Sequence, residues 1–203
     1  MRLKVMVLCG AMCLSGVAAN AQMAPPKAAV APGTAVEPAK ALDDLLSIYE
    51  GEVVPVAKAM PADKYGFAPN AATFAAGAPA KFDTVRTFGQ QVVHVALANY
   101  YFYSAVGGMK PDVDMAALGK MSDDPKACSD KDAALKYLTG SIAFAHKAIA
   151  TITTANAFVA IKPIDGQNTR ATLAAFGVAH GYDHYGQMVE YLRMNGIVPP
   201  GSK

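Results

Sequence analysis

Between residues 40 and 59 the large apolar side chains Leu42, Leu45, Leu46, Tyr49, Val53 and Val56 recur at close to every third or fourth position. That period puts them on one face of an α-helix and predicts a first helix over 40–59. Pro55, which lacks a backbone donor, is expected to kink or shorten it. Residues 60–67 are rich in turn formers, and an Ala/Gly/Pro stretch up to Phe82 has no period at all. A second helix is predicted to start at the capping box Thr87-Phe88-Gly89-Gln90, run to about Val106 and stop at Gly107-Gly108. The connection that follows, about twenty residues, is longer than a hairpin between bundle helices needs. It is expected to cross the bundle end rather than join antiparallel neighbours.

Ser129-Asp130-Lys131-Asp132 can cap a third helix, whose near-heptad stripe Leu135, Leu138, Ile142, Ala145, Ile149 and Ile152 suits packing in a bundle. Its end is expected near Thr154. A fourth helix is predicted after Asp165-Gly166-Gln167-Asn168, capped by Asn168 or Thr169, and ends at Asn195-Gly196 ahead of Pro199-Pro200. No segment reads as a strand. The fold class expected is all-α, a four-helix bundle with a long crossover connection.

The amino-terminal pattern belongs to targeting rather than to this fold. Arg2 and Lys4 precede an apolar run from Val5 to Val17 and the small-residue pattern Ala19-Asn20-Ala21. This is the layout of a cleaved secretory signal, so 1–21 reads as a signal peptide, and the destination expected is periplasmic or secreted. The run is too short for a membrane span of about 20 residues, and no membrane association is expected after cleavage. Residues 22–38 are Ala/Pro-rich with few large apolar side chains and read as a disordered leader. The domain is then 39–203.

Cleavage also changes the charge. The chain has 18 Lys+Arg and 16 Asp+Glu, and removing Arg2 and Lys4 leaves 16 against 16. No basic cluster remains that could neutralise a row of phosphates, so nucleic acid is not an expected partner. Of the three cysteines, Cys9 and Cys13 lie in the signal. Cys128 stands alone, the core rather than disulfides must hold the fold, and a nucleophilic role for this thiol has little local support.

His180 and His184 are four residues apart, a spacing that stacks two imidazoles on one helix face where both can reach a single ion. They lie in the stripe Leu173, Phe176, Gly177, His180, His184, Met188 and Tyr191, which is the face directed into a bundle. His94 shares a face of the second helix with Gln91, Leu97, Ala98 and Tyr101. A buried imidazole without partners costs on the order of 1 to 3 kcal/mol, which shared coordination removes; hydrogen bonds within a packed core are the competing explanation. Three ligands would leave at least one position open to water or substrate. His146, at the border of the third helix's stripe beside Lys147, reads as a solvated or edge histidine rather than a ligand. Gly181 stands where a zinc protease of the HExxH kind carries its glutamate, so that chemistry is excluded. Gly181 is better explained by a close approach of another backbone or a ligand.

The segment from His180 to Arg193, the ending Gly196-Ile197-Val198-Pro199-Pro200, the segment from Met60 to Tyr65 and the stretch from Phe88 to Tyr100 together resemble the DinB-like superfamily. The resemblance covers nearly the whole of the domain. It implies a three-histidine metal site, one ligand on the second helix and two in an HxxxH on the last, positions matched by His94, His180 and His184. Some relatives resemble thiol-dependent transferases or metal-dependent hydrolases. By ligand type the divalent metal ion expected is zinc or nickel first, with iron or copper also compatible. Export favours hydrolysis of a small-molecule substrate, since low-molecular-weight thiols abound in the reducing cytosol. The alternative is a non-catalytic metal-binding or stress-related bundle. Asp183, Tyr101 and Gln187 are the candidate helpers of the ligands. The aromatic run Tyr100, Tyr101, Phe102 and Tyr103 surrounds one helix, so at least one ring faces solvent or a partner, which is compatible with a homodimer.

Overall fold

The structure, a computed structural model, describes residues 30–73, 82 and 84–201. The signal segment 1–21, most of the leader and the whole of 74–81 lie outside the described residues. Val36–Lys203 forms one unit, and the residues before it fall in another. No helix among the described residues is long and apolar enough to cross a membrane.

Four long helices carry the domain unit: α1 (Pro38–Ala59), α2 (Phe88–Gly107), α4 (Lys131–Ile149) and α5 (Arg170–Met194). A short α3 (Met115–Asp123) and two strands, β1 (Ala160–Ile164) and β2 (Gln167–Thr169), lie in the connections. The all-α class expected from the sequence is what the chain adopts, with one small hairpin added.

Residue pairs across the helix contacts give the topology. Asn99 bonds to Ser141, and Gly107 lies against Ala148, so α2 and α4 run parallel. Gln91 bonds to Gln187 while Tyr103 bonds to the Ala174 carbonyl, so α2 and α5 run antiparallel. Lys131 on α4 donates to the carbonyls of Lys58 and Met60 at the end of α1, while Asp43 near its start meets His146. Parallel neighbours cannot be joined by a tight hairpin, which is why 108–130 must return the length of the bundle. The long crossover is therefore present, and α3, capped by Asp114 and anchored by buried Leu118, packs on α2 along it.

Local signals explain most of the ends. Thr87 and Gln90 form the reciprocal capping box at the start of α2, and Gly108 closes that helix with φ 63. Asp130 caps α4, and Thr169 rather than Asn168 caps α5. Pro55 sits inside α1 without ending it; the carbonyl its ring frees belongs to exposed Gly51, where water can take over the lost bond. α4 stops at Ile149, not near Thr154. Thr151 bonds back to the Ala148 carbonyl and the Asn156 side chain accepts from the Thr153 amide, so side chains supply what the helical ladder would have.

The hairpin corrects the expectation of no strand. Asp165 and Gly166 both have positive φ, 47 and 77, as a two-residue type I′ turn requires. Ala160 pairs with Thr169 and Ile164 with Gln167, with an irregularity between that includes Pro163. Ile161 and Ile164 pack on the core from β1.

The core is continuous through all four long helices. Of the aromatic run, Tyr100, Phe102 and Tyr103 are buried and Tyr101 is exposed. Cys128 is buried in the crossover, its thiol donating to the Met121 carbonyl at 2.9 Å. Burial pushes its pKa up to about 12, which removes the thiolate needed for nucleophilic chemistry.

Candidate metal centre

The apolar stripe of α5 faces inward, with Leu173, Gly177, His184, Met188 and Tyr191 buried and His180 half-buried. Across from it, α2 presents His94, also half-buried. Because the two helices are antiparallel neighbours, residues far apart in sequence meet at one level. His94, His180 and His184 each offer a ring nitrogen, and these atoms all lie within 4.8 Å of one another. The Nε2 atoms of His180 and His184 are 3.3 Å apart.

Hydrogen bonding fixes the protonation of one of these rings. Nδ1 of His184 lies 2.6 Å from Oε1 of Gln91, whose amide donates to Oε1 of Gln187 at 2.7 Å. Gln187 in turn donates to the Asp183 carboxylate at 3.0 Å. The carboxylate can only accept, so the order of donors along this chain is set: Gln187 gives its N–H to Asp183, Gln91 to Gln187, and His184 its Nδ1–H to Gln91. Nε2 of His184 is left with its lone pair directed at His180. Nδ1 of His180 is buried with no hydrogen-bond partner among the described residues.

All three rings are held neutral. Burial lowers His94 to about 3, with Arg86 and the other two imidazoles adding to the effect. Burial and then the His180 ring lower His184 to about 4. His180 is lowered by burial, against the opposing pull of Asp183 and Asp165. Lone pairs are thus available near neutral pH.

This donor set fits a divalent ion. In tetrahedral coordination with arms of 2.0–2.1 Å, two ligand nitrogens lie about 3.3 Å apart, the separation of the two Nε2 atoms. Without a cation, either two lone pairs face each other or His180 directs its only N–H at His184, leaving Nδ1 orphaned as an acceptor. The Gln91–Gln187–Asp183 chain is the kind of support that orients a ligating imidazole.

A model of the DinB superfamily matches residues 46–188, more than two thirds of the chain. The chain belongs to the DinB superfamily. Compared with curated proteins and with solved structures, it gives no match. The match to this DinB-superfamily chain spans α1 to the middle of α5 and so includes all three histidines.

Of the candidate helpers, Asp183 and Gln187 lie at the outer end of the chain that holds His184, and Tyr101 lies elsewhere, on the wall of a cavity beside His94 and His180. Gln91 was legible only as a neighbour on the face of His94; its bond to His184 spans 93 positions of sequence. Asp165 was missed altogether as a site residue, yet it lines the same cavity. His146 is an edge residue clamped between Asp43 and Glu50. Gly181 is approached by a side chain, not by a backbone or ligand: a Cβ there would lie 2.4 Å from the Tyr49 hydroxyl oxygen.

Proposed function

We propose that this chain is an exported metalloprotein of the DinB superfamily that holds one divalent ion through His94, His180 and His184. In this reading it acts on a small molecule by hydrolysis or group transfer. The observation that carries it is the 3.3 Å approach of the two Nε2 atoms, with the lone pair of His184 aimed by its bond to Gln91. A bound ion of this kind supplies Lewis-acid activation of a water or a substrate atom. Gln91 holds the Nδ1 proton and ring plane of His184, Asp183 and Gln187 hold Gln91, and the neighbouring cavity supplies room for a substrate. Zinc and nickel suit three neutral imidazoles, and iron and copper remain compatible by ligand type.

Hydrolysis is favoured over thiol transfer by the signal-like start of the sequence, since an exported enzyme leaves the thiol-rich compartment. A second reading, a non-catalytic metal-binding bundle, is favoured by one observation: the Asp183 carboxylate is committed to Gln187 rather than directed at the histidines.

Elemental mass spectrometry on untagged mature protein tests the metal reading, with His94→Ala, His180→Ala and His184→Ala beside His146→Ala. Near-stoichiometric metal lost in the first three and kept in the last is the expected result; no metal in the wild-type protein after reconstitution would sink it. A screen with ester, amide and phosphoester substrates on the loaded protein then separates enzyme from binding protein. Immunoblotting of cell fractions, with the mature amino terminus sequenced, tests export.

A further inference from the structure

The β1–β2 hairpin brings a carboxylate to the histidine cluster. A cavity of about 350 Å³ opens beside His94 and His180, at the lower end of the size range of small-molecule sites. Leu97, Phe102 and Met115 give it apolar walls, and Tyr101 stands with its ring centroid 5.7 Å from that of Phe102. Among the residues that line it, Asp165 alone carries a formal charge. Asp165 is also, among the described residues, the only one other than glycine with positive φ, so the tight turn dictates where this carboxylate stands. No ion pair among the described residues engages it.

A lone carboxylate beside aromatic rings and apolar walls is charge-complementary to an organic cation. Asp165 and Tyr101 are both exposed and stand at the rim of the cavity, where aromatic faces attract ammonium groups and the carboxylate adds a solvent-screened Coulomb attraction. An anionic ligand would be repelled by Asp165, and a purely apolar one would gain nothing from it.

We propose that this cavity binds a small organic cation, with an apolar body against Leu97 and Met115 and a protonated or quaternary amine held by Asp165 and the Tyr101 and Phe102 rings. As a substrate class the assignment rests on the metal reading above, with the reacting end of the molecule toward His94 and His180. As a binding site it stands on the cavity alone.

The probe is benzyltrimethylammonium, which has no lone pair to offer a metal, compared with neutral benzyl alcohol. Both are titrated by NMR at low ionic strength into the full mature protein after zinc reconstitution, with metal content measured on the same samples. Asp165→Asn is the test variant, because asparagine also tolerates positive φ and preserves the turn. The expected result is a roughly three- to tenfold preference for the cation that falls to near unity in Asp165→Asn, with zinc content unchanged. Equal binding of the two probes, no binding of the cation, or a preference untouched by Asp165→Asn would overturn the proposal while leaving the metal reading intact. Loss of zinc in Asp165→Asn would overturn it too, by making Asp165 a ligand. An Asp165-dependent cation preference in protein that takes up no metal would sink the metal reading and keep the binding site.

Discussion

Nδ1 of His184 and Oε1 of Gln91 meet at 2.6 Å across the α2–α5 contact, 93 positions apart in sequence. The bond assigns the proton to Nδ1 and leaves Nε2 free on the side of His180 and His94. Gln91→Leu keeps the side-chain volume and removes the acceptor. A tenfold to hundredfold loss of metal affinity is expected, the usual cost of removing such a partner. Gln187→Met, which removes the outer bonds to Gln91 and Asp183 but leaves the Gln91–His184 bond in place, should lose less. Chelator competition on both variants measures this, and thermal melts of the metal-free proteins separate a lost ligand orientation from a lost fold. Equal affinity in wild type and Gln91→Leu would show that the ring needs no such support.

How much of this could be read from the chain follows the range of each signal. The pair His180 and His184 and the Thr87–Gln90 capping box are local, within four residues, and local spacing determines their geometry. His94 was placed on the correct face by the period of α2. Gln91 was visible as a polar residue on that face, but its role depends on a helix contact that no local pattern encodes. The hairpin was hidden for a different reason. Asp165-Gly166 is both the expected punctuation before a helix and the signature of a type I′ turn, and strands of five and three residues are too short to show a period of two. The α4 stripe overran because Ile152 keeps the apolar spacing and is buried, although it is held there by turns rather than by helix.

Gly181 is required by Tyr49. Its absent Cβ would sit 2.4 Å from the Tyr49 Oη and Cζ, in a ring that is fully buried and edge-on to Tyr182. Alanine gains about 1 kcal/mol of helix propensity at such a position, but the overpacking outweighs it. Gly181→Ala should destabilise by roughly 1–3 kcal/mol in urea melts. The Tyr49 hydroxyl itself is buried without a hydrogen-bond partner among the described residues. Tyr49→Phe should therefore be neutral or stabilising by up to about 1 kcal/mol; a loss comparable to that of Gly181→Ala would mean that the hydroxyl has a partner after all.

Cys128 gives a reporter on global unfolding. Its thiol is buried, bonded to the Met121 carbonyl, and raised to about 12 by burial and by Asp124 and Asp123. The backbone around it is locked as well: a Cβ at Gly89 would lie 2.0 Å from the Cys128 carbonyl oxygen. Modification by a thiol reagent at pH 8 should proceed only through opening of the crossover from α2. Where that opening is global unfolding, metal loading should slow modification by the factor by which the ion raises the folding constant; an unchanged rate would assign the opening to the crossover alone. Labelling of the folded protein at the rate of a free thiol would contradict this burial.

The clamp on His146 makes stability depend on pH in a direction opposite to the three imidazoles of the metal centre. Nδ1 lies 2.5 Å from Asp43 and Nε2 3.2 Å from Glu50, and only the doubly protonated ring can donate to both. Burial pulls its pKa down, but the bonds and charges of the two carboxylates outweigh this and raise it above the ordinary 6.5. A histidine with a raised folded-state pKa contributes its stability in full below pH 6.5 and loses it as pH rises through the folded value. The carboxylates are about 36% and 45% exposed, so the contribution is screened and expected to be no more than about 1 kcal/mol. Melting His146→Gln and wild type at pH 5.5 and pH 9 measures it: the variant should be less stable at the lower pH and close to wild type at the higher. The same deficit at both would mean that His146 acts by packing alone.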